Sequence, residues 1–156
     1  MQKPSVDRPG VIARPPVLFL GFLVTSVGLN AIWRTAPLPS GLRHPVAIVL
    51  VTAAVLLGGA AVHAFWRAGT HIDPLEPARM LVTTGPYMYT RNPMYVALTF
   101  FYAGVGVALN NLWTLVLLLP FLAAVFYGVI LHEESYLERT FGEAYRQYKA
   151  SVRRWA

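Results

Sequence analysis

The 156-residue chain contains no cysteine, so thiolate nucleophiles, Cys-ligated metal centres and a disulfide scaffold are excluded. Charge is also scarce. Asp, Glu, Lys and Arg make up 13% of residues, against about 25% in an ordinary soluble domain, while hydrophobic residues reach 56%. Mean hydropathy is +0.50. These values exclude a soluble enzyme and a disordered tail. There is no internal repeat and no low-complexity stretch. What charge there is favours the basic side, with 13 Lys and Arg against 7 Asp and Glu, a net charge of +6.

The charges are not scattered. Residues 17–33, 46–65, 94–109 and 112–131 contain none. At about 1.5 Å per residue the second and fourth runs reach the roughly 30 Å of a hydrocarbon core, and the first and third need flanking residues, tilt or local thinning. None alternates with period 2, so all four are expected to be helices, the backbone-satisfying alternative to a barrel in lipid. Trp33, Trp66 and Trp113 stand at run ends, where amphipathic rings prefer the interface. Lys3, Arg8 and Arg14 precede the first run as in a secretory signal, but no clear small-residue cleavage site follows, so the run is expected to be retained. With four spans, 11 of the 13 basic residues fall on one side and only Arg34 and Arg43 on the other. The positive-inside rule then puts both termini in the cytoplasm, at the inner or plasma membrane if the source is bacterial. The basic excess thus reads as orientation with some affinity for anionic headgroups, rather than as a nucleic-acid footprint. The expected architecture is all-α and polytopic: a single membrane domain over residues 1–156 with about four transmembrane helices and a C-terminal cytoplasmic amphipathic helix.

The connections carry what chemistry there is. Asn110-Asn111 alone joins the third and fourth runs, which predicts a tight antiparallel hairpin. Gly104 and Ala108, four apart, offer one face for close helix approach, and Pro120 is a kink position. The loop 67–93 is far longer than the roughly 2–8 residues a bundle connection needs, and Pro74, Pro77, Pro86 and Pro93 shape it. Gly85-Pro86 permits a sharp turn, Tyr87, Tyr89 and Tyr95 follow, and Asn92 is expected to cap a helix starting at Pro93. That helix N-terminus beside Arg91 suits an anion. The tail 132–154 opens His132-Glu133-Glu134, and Leu137, Phe141, Tyr145, Tyr148 and Val152 then recur at helical spacing, predicting an amphipathic helix lying on the membrane. His63, His71 and His132 share no common face, so no metal site is expected.

GPYMYTRNPMY, followed after one hairpin by HEESYLERTFGEAYRQY, resembles the integral-membrane methyltransferases, which include isoprenylcysteine carboxyl methyltransferases and bacterial phospholipid N-methyltransferases. The resemblance rests on Gly85, Pro86, Tyr87; Arg91, Asn92, Pro93, Tyr95; Glu133, Glu134, Leu137; and Phe141, Gly142, Tyr145, Tyr148. Asn92 stands where the isoprenylcysteine enzymes usually have His, which is closer to the phospholipid branch. The resemblance implies an S-adenosylmethionine site between loop and tail, facing the cytosol, with a lipid-open route for a lipid-borne or lipophilic acceptor. On that reading the cofactor-binding residues are Leu81, Val82, Thr84, Gly85, Pro86, Tyr87, Tyr89, Asn92, Pro93, Tyr95, Glu133 and Glu134. Backbone N–H groups near Leu81–Gly85 would hold its carboxylate, one glutamate its ribose hydroxyls, and the tyrosines its adenine and sulfonium. Adjacent helical residues differ by about 100°, so one of Glu133 and Glu134 is expected inside and the other toward solvent or Arg91. Arg91, Glu134 and Arg153 are the candidate catalytic residues, since a carboxylate acceptor wants an arginine and an amine acceptor a nearby carboxylate or tyrosine. The residues do not choose between O- and N-methylation, and oligomeric state is open. Two other readings compete: a membrane reductase of the sterol-reductase type, binding NADPH, and a non-catalytic membrane module with the same fold.

Overall fold

A computed structural model describes residues 9–73 and 75–155; Lys3 and Arg8 of the basic N-terminus, and Pro74 of the loop, lie outside the described residues. Among these the chain is helical, in the order α1 (Pro15–Ile32), α2 (Ser40–Ala68), a 3-10 turn (Gly85–Met88), α3 (Pro93–Ala108), α4 (Leu112–Val125), a π turn (Phe126–Ile130), α5 (Leu131–Phe141) and α6 (Glu143–Ser151). Three helical stretches are long and apolar enough to cross a membrane: α1, α2 and the continuous run Leu112–Phe141; α3 is apolar but shorter. Large side chains such as Val24, Leu56 and Leu119 face outward, as a lipid-facing surface does.

Sequence sets the helix ends. Pro15 and Pro93 occupy first-turn positions, where the missing N–H costs nothing. Gly69 closes α2 in the left-handed region at φ 65°, a conformation glycine adopts without Cβ strain. The predicted hairpin is present: Asn110 has φ 50°, and the Asn111 side chain accepts the Trp113 N–H at the start of α4. Around it, Asn111 Nδ2 donates to the Ser26 carbonyl, the Ser26 and Thr114 hydroxyls meet at 2.8 Å, and Trp113 Nε1 donates to the Trp33 carbonyl. In lipid, such interhelical hydrogen bonds and close packing hold helices together, since the tails are as apolar as the side chains.

α2 packs along α3, α3 along α4, and α4 along α1. Gly104 does bring helices together, but against α2: a Cβ there would fall 2.9 Å from Val51 Cγ2. Gly106 plays the same part toward Thr114 of α4. The core between α1, α3 and α4 is aromatic, with Tyr102 stacked on Phe121 at 4.8 Å and Phe19 edge-on to both.

The C-terminal part corrects the expectation of one amphipathic tail helix on the membrane. Gly142, at φ 52° and ψ −120°, breaks it into α5 and α6. The turn folds α6 back, so Tyr145 and Tyr148 of the stripe are buried in the protein. Asn92 precedes α3 as expected, yet its side chain makes no cap; Nδ2 donates instead to the Arg154 carbonyl.

Candidate active site

The N-terminal segment, the loop after α2 and the tail meet at one pole. Tyr136 of α5 accepts the Ala78 N–H, Thr70 accepts the Arg79 N–H, and Tyr148 of α6 donates to the Tyr87 carbonyl at 2.8 Å. The last residues run back over the α3 N-terminus: the Arg91 N–H donates to the Arg153 carbonyl at 2.9 Å, and the Thr90 hydroxyl to the Arg154 carbonyl. A loop with so few backbone partners of its own is thereby held by side chains and by the tail.

Beneath lies a cavity of about 750 Å³. Its polar end is walled by Tyr87, Arg91, Asn92, Tyr95, Glu133, Glu134, Tyr145 and Tyr148, and its apolar arm runs between α2 and α3 past Val62, Gly58 and Ala54 on one side and Ala97, Leu98 and Phe101 on the other.

The two glutamates have different partners. Glu134 is buried and grips both arginines: Arg154 Nε and Nη2 donate to its two oxygens at 2.9 and 2.8 Å, and Arg91 Nη1 lies 3.0 Å from Oε1. The fork geometry of Arg154 is the strong, bidentate kind, and the hydrogen bonds to Glu134 hold its guanidinium pKa up. Arg91 is aligned less well. Its Nε is buried without a hydrogen-bond partner among the described residues, and Nη1 faces the Glu134 carboxylate as an ion pair without hydrogen-bond alignment. Glu133, beyond Leu131 at the end of the apolar run, accepts a hydrogen bond from the Tyr95 hydroxyl at 2.7 Å. Burial pushes its carboxyl up to about 7, against the Tyr95 hydroxyl, which lowers it, and with the Glu134 charge, which adds to the rise. The Tyr145 hydroxyl is likewise pushed up to about 12, by burial first and the Glu134 charge second.

Of the residues expected at the site, Leu81, Val82, Tyr87, Arg91, Asn92, Tyr95, Glu133 and Glu134 line the cavity. Thr84 and Gly85 are exposed, Pro86 and Pro93 shape the turn and the helix start without lining it, and Tyr89 points outward with 76% of its surface exposed. Arg153 contributes its carbonyl while the residue is exposed; its neighbour Arg154 reaches Glu134. Arg154 follows the last helix in irregular chain, where periodicity gives no signal. Tyr145 and Tyr148 belong to the helical stripe of the tail, and the break at Gly142 turns that stripe inward.

Fold and site together define a helical membrane protein with an ionic pocket continuous with an apolar arm. Residues 42–144 match the phospholipid methyltransferase family, more than half of the chain, and the chain belongs to that family. It is also similar to the protein-S-isoprenylcysteine O-methyltransferase of Schizosaccharomyces pombe, 37% identical over 73 residues, which is 47% of this chain and 31% of that relative. The chain therefore aligns with about a third of the length of that curated relative. No solved structure matches it.

Proposed function

We propose that the protein is an S-adenosylmethionine-dependent methyltransferase acting on a lipid-borne or lipophilic acceptor, with four spans, α1, α2, α3 and α4, and with both termini on the cytoplasmic side. The observation that carries this reading is the cavity, in which Glu133, Arg91 and four tyrosines at a polar end adjoin an apolar arm between α2 and α3. When bound, S-adenosylmethionine supplies a methyl group on a sulfonium centre, and its carboxylate, ribose and adenine set what the pocket must offer.

The residues fit those demands. Arg91 keeps a buried Nε donor without a hydrogen-bond partner among the described residues, which an anion at the cavity wall would satisfy. Glu133 offers a carboxylate oxygen not taken by Tyr95, so it is the glutamate assigned to ribose hydroxyls, while Glu134 holds Arg91 and Arg154 in place. Tyr87 and Tyr95 give aromatic walls for the adenine and the cation. Leu81 and Val82 line the cavity, and Asn92, tied to the Arg154 carbonyl, fixes the tail at its polar end. Arg154, which reaches Glu134, takes the role expected of Arg153 for a carboxylate acceptor. In-line transfer needs alignment and dryness more than covalent help, and the buried tyrosines and loop–tail clasp provide both. An amine acceptor would find its proton acceptor in Glu133, and a carboxylate acceptor its counter-charge in Arg91 and Arg154.

Calorimetric titration of the detergent-solubilised protein with S-adenosylmethionine tests the cofactor. Saturable one-site binding is expected; titration without heat on folded protein, or NADPH binding in its place, would overturn the reading.

A further inference from the structure

The continuous helical run Leu112–Phe141 carries both glutamates, and partway along it one extra residue shifts the buried face. Phe121 and Val125, four apart, belong to the core cluster, and the next member on this run is Ile130, five further on. Glu134 follows Ile130 by four and is buried in its turn. The step of five is the π turn, where the Leu131 N–H donates to the Phe126 carbonyl, five residues back. Such turns occur mostly singly inside α-helices, often at functional sites. Residues four apart share a helix face, so a plain α-helix from Val125 would carry the buried line through Val129 to Glu133. One residue is about 100° of rotation. The π turn therefore decides which glutamate meets Arg91 and Arg154 and which meets Tyr95.

The N-terminal strap, residues 9–14, seats on this turn. The Ile12 N–H donates to the Gly128 carbonyl at 3.0 Å, a partner from outside the helix. A Cβ on Gly128 would overlap the Ile12 side chain, so the strap lies where only a glycine leaves room. Gly128, Val129 and Ile130 are buried in succession, more than one helix face hides, because the strap covers Gly128 while the core covers Ile130. Beyond the seat the strap is tied to the loop after α2: Arg14 donates from Nε to Asp73 Oδ2 at 3.1 Å, with Nη2 3.0 Å from the same oxygen. From the tail, the Arg154 guanidinium that grips Glu134 lies 5.3 Å from the centre of the Phe126 ring, at the start of the turn. The strap falls outside residues 42–144, the segment that matches the family.

We propose that Ile12, seated on Gly128, is a positioning residue: the strap holds the π turn, and with it the rotation of α5 that turns Glu133 to the cofactor and Glu134 to the two arginines. Without the seat the turn relaxes to plain α-helix, and each residue of α5 moves into the place of the one after it. Glu133 then meets Arg91 and Arg154, His132 stands where Glu133 stood, and no carboxylate is left for the ribose hydroxyls. The last step rests on the methyltransferase reading; the rotation does not.

The native chain has no cysteine, so Ser135→Cys supplies a single thiol, exposed on α5 beside the buried Tyr136. Its rate of reaction with a hydrophilic maleimide, in detergent and without cofactor, reads the rotation. Ile12 is 64% exposed, so Ile12→Ala takes the seat away without opening the core. It is expected to slow the thiol about fivefold or more, since residue 135 takes the buried place of Tyr136; a helix merely loosened would react faster. Gly128→Ala, which evicts Ile12, should act likewise, and Ile12→Val should react at the native rate. In the native background Ile12→Ala should also weaken S-adenosylmethionine binding about tenfold or more, the loss of a hydrogen bond to a charged group. Deleting Tyr127, a 65% exposed residue, sets Ile130 four residues after Val125 and restores the facing of both glutamates through a plain α-helix. In that background Ile12→Ala should change neither the thiol rate nor the affinity. An unchanged or faster thiol in Ile12→Ala, or an equal loss of affinity in both backgrounds, would overturn the proposal. The thiol rate in the native background decides by itself, whether or not the deletion variant folds. Silent titrations with the expected thiol pattern would count against the cofactor reading alone.

Discussion

Glu133 and Glu134 are adjacent, yet their partners predict opposite consequences for the same isosteric change. Glu134→Gln keeps the shape but replaces one oxygen with an NH2 that faces guanidinium donors. Arg91 is 9% exposed and loses its ion-pair partner, and Arg154 loses half of a bidentate clasp. Breaking a buried pair by removing one partner costs about 3–5 kcal/mol, and the lower end applies because Arg154 is one-third exposed. Glu134→Gln is therefore expected to lose about 3 kcal/mol of stability. Glu133→Gln can still accept the Tyr95 hydroxyl, and it removes a carboxyl whose charge is costly to bury. Its stability is expected to hold or rise. A ligand hydrogen bond to a charged group is worth about 1.5–3 kcal/mol, so S-adenosylmethionine affinity should fall about 10- to 150-fold. Thermal unfolding in detergent and calorimetric titration on the same samples separate the two effects. Glu133→Gln binding the cofactor within twofold of the native protein, while Glu134→Gln unfolds no earlier, would refute the division of labour.

Four further outcomes are expected. Cofactor affinity should weaken as pH falls through about 7, approaching tenfold per pH unit as Glu133 takes up a proton, and Glu133→Gln should abolish that dependence in titrations from pH 6 to 8.5. The same raised carboxyl gives a stability effect of fixed sign: the folded state binds the extra proton, so the contribution is complete below the ordinary carboxyl value and is lost as pH rises through about 7, which pH-dependent melting of the native protein against Glu133→Gln reads directly. Arg154→Ala should lower both melting temperature and turnover, whereas Arg153→Ala, whose carbonyl survives, should leave both near native values. Gly142→Ala should destabilise by about 1–3 kcal/mol, measured by thermal unfolding, because φ 52° with ψ −120° is strained for any residue with a Cβ.

Helix positions were legible because uncharged runs are a strong signal in a chain this poor in charge. Helices α1, α2, α3 and α4 fall where residues 17–33, 46–65, 94–109 and 112–131 put them, and Asn110-Asn111 forms the hairpin that its brevity demanded. The tail was half legible. Helical spacing picked out Tyr145 and Tyr148, but periodicity cannot report a fold-back, and a single Gly142 reverses which surface the stripe meets. Within the loop, Tyr87 turns inward and Tyr89 outward, a distinction set by the 3-10 turn at Gly85–Met88 rather than by residue type. Arg154 was missed in favour of Arg153 because irregular chain has no period from which to infer a facing direction. The cross-chain clasps, Arg14 to Asp73 and Ile12 to Gly128, join segments far apart in sequence and leave no local trace.

Methyl transfer into lipid is the most direct test. The purified protein, reconstituted in vesicles made from a total lipid extract of the source organism, is incubated with methyl-labelled S-adenosylmethionine, and the organic phase is resolved by mass. Enzyme-dependent label in a lipid or lipophilic species, reduced at least tenfold in Glu133→Gln, is predicted. Folded, cofactor-binding protein that puts no label into the organic phase would contradict a lipid-borne or lipophilic acceptor.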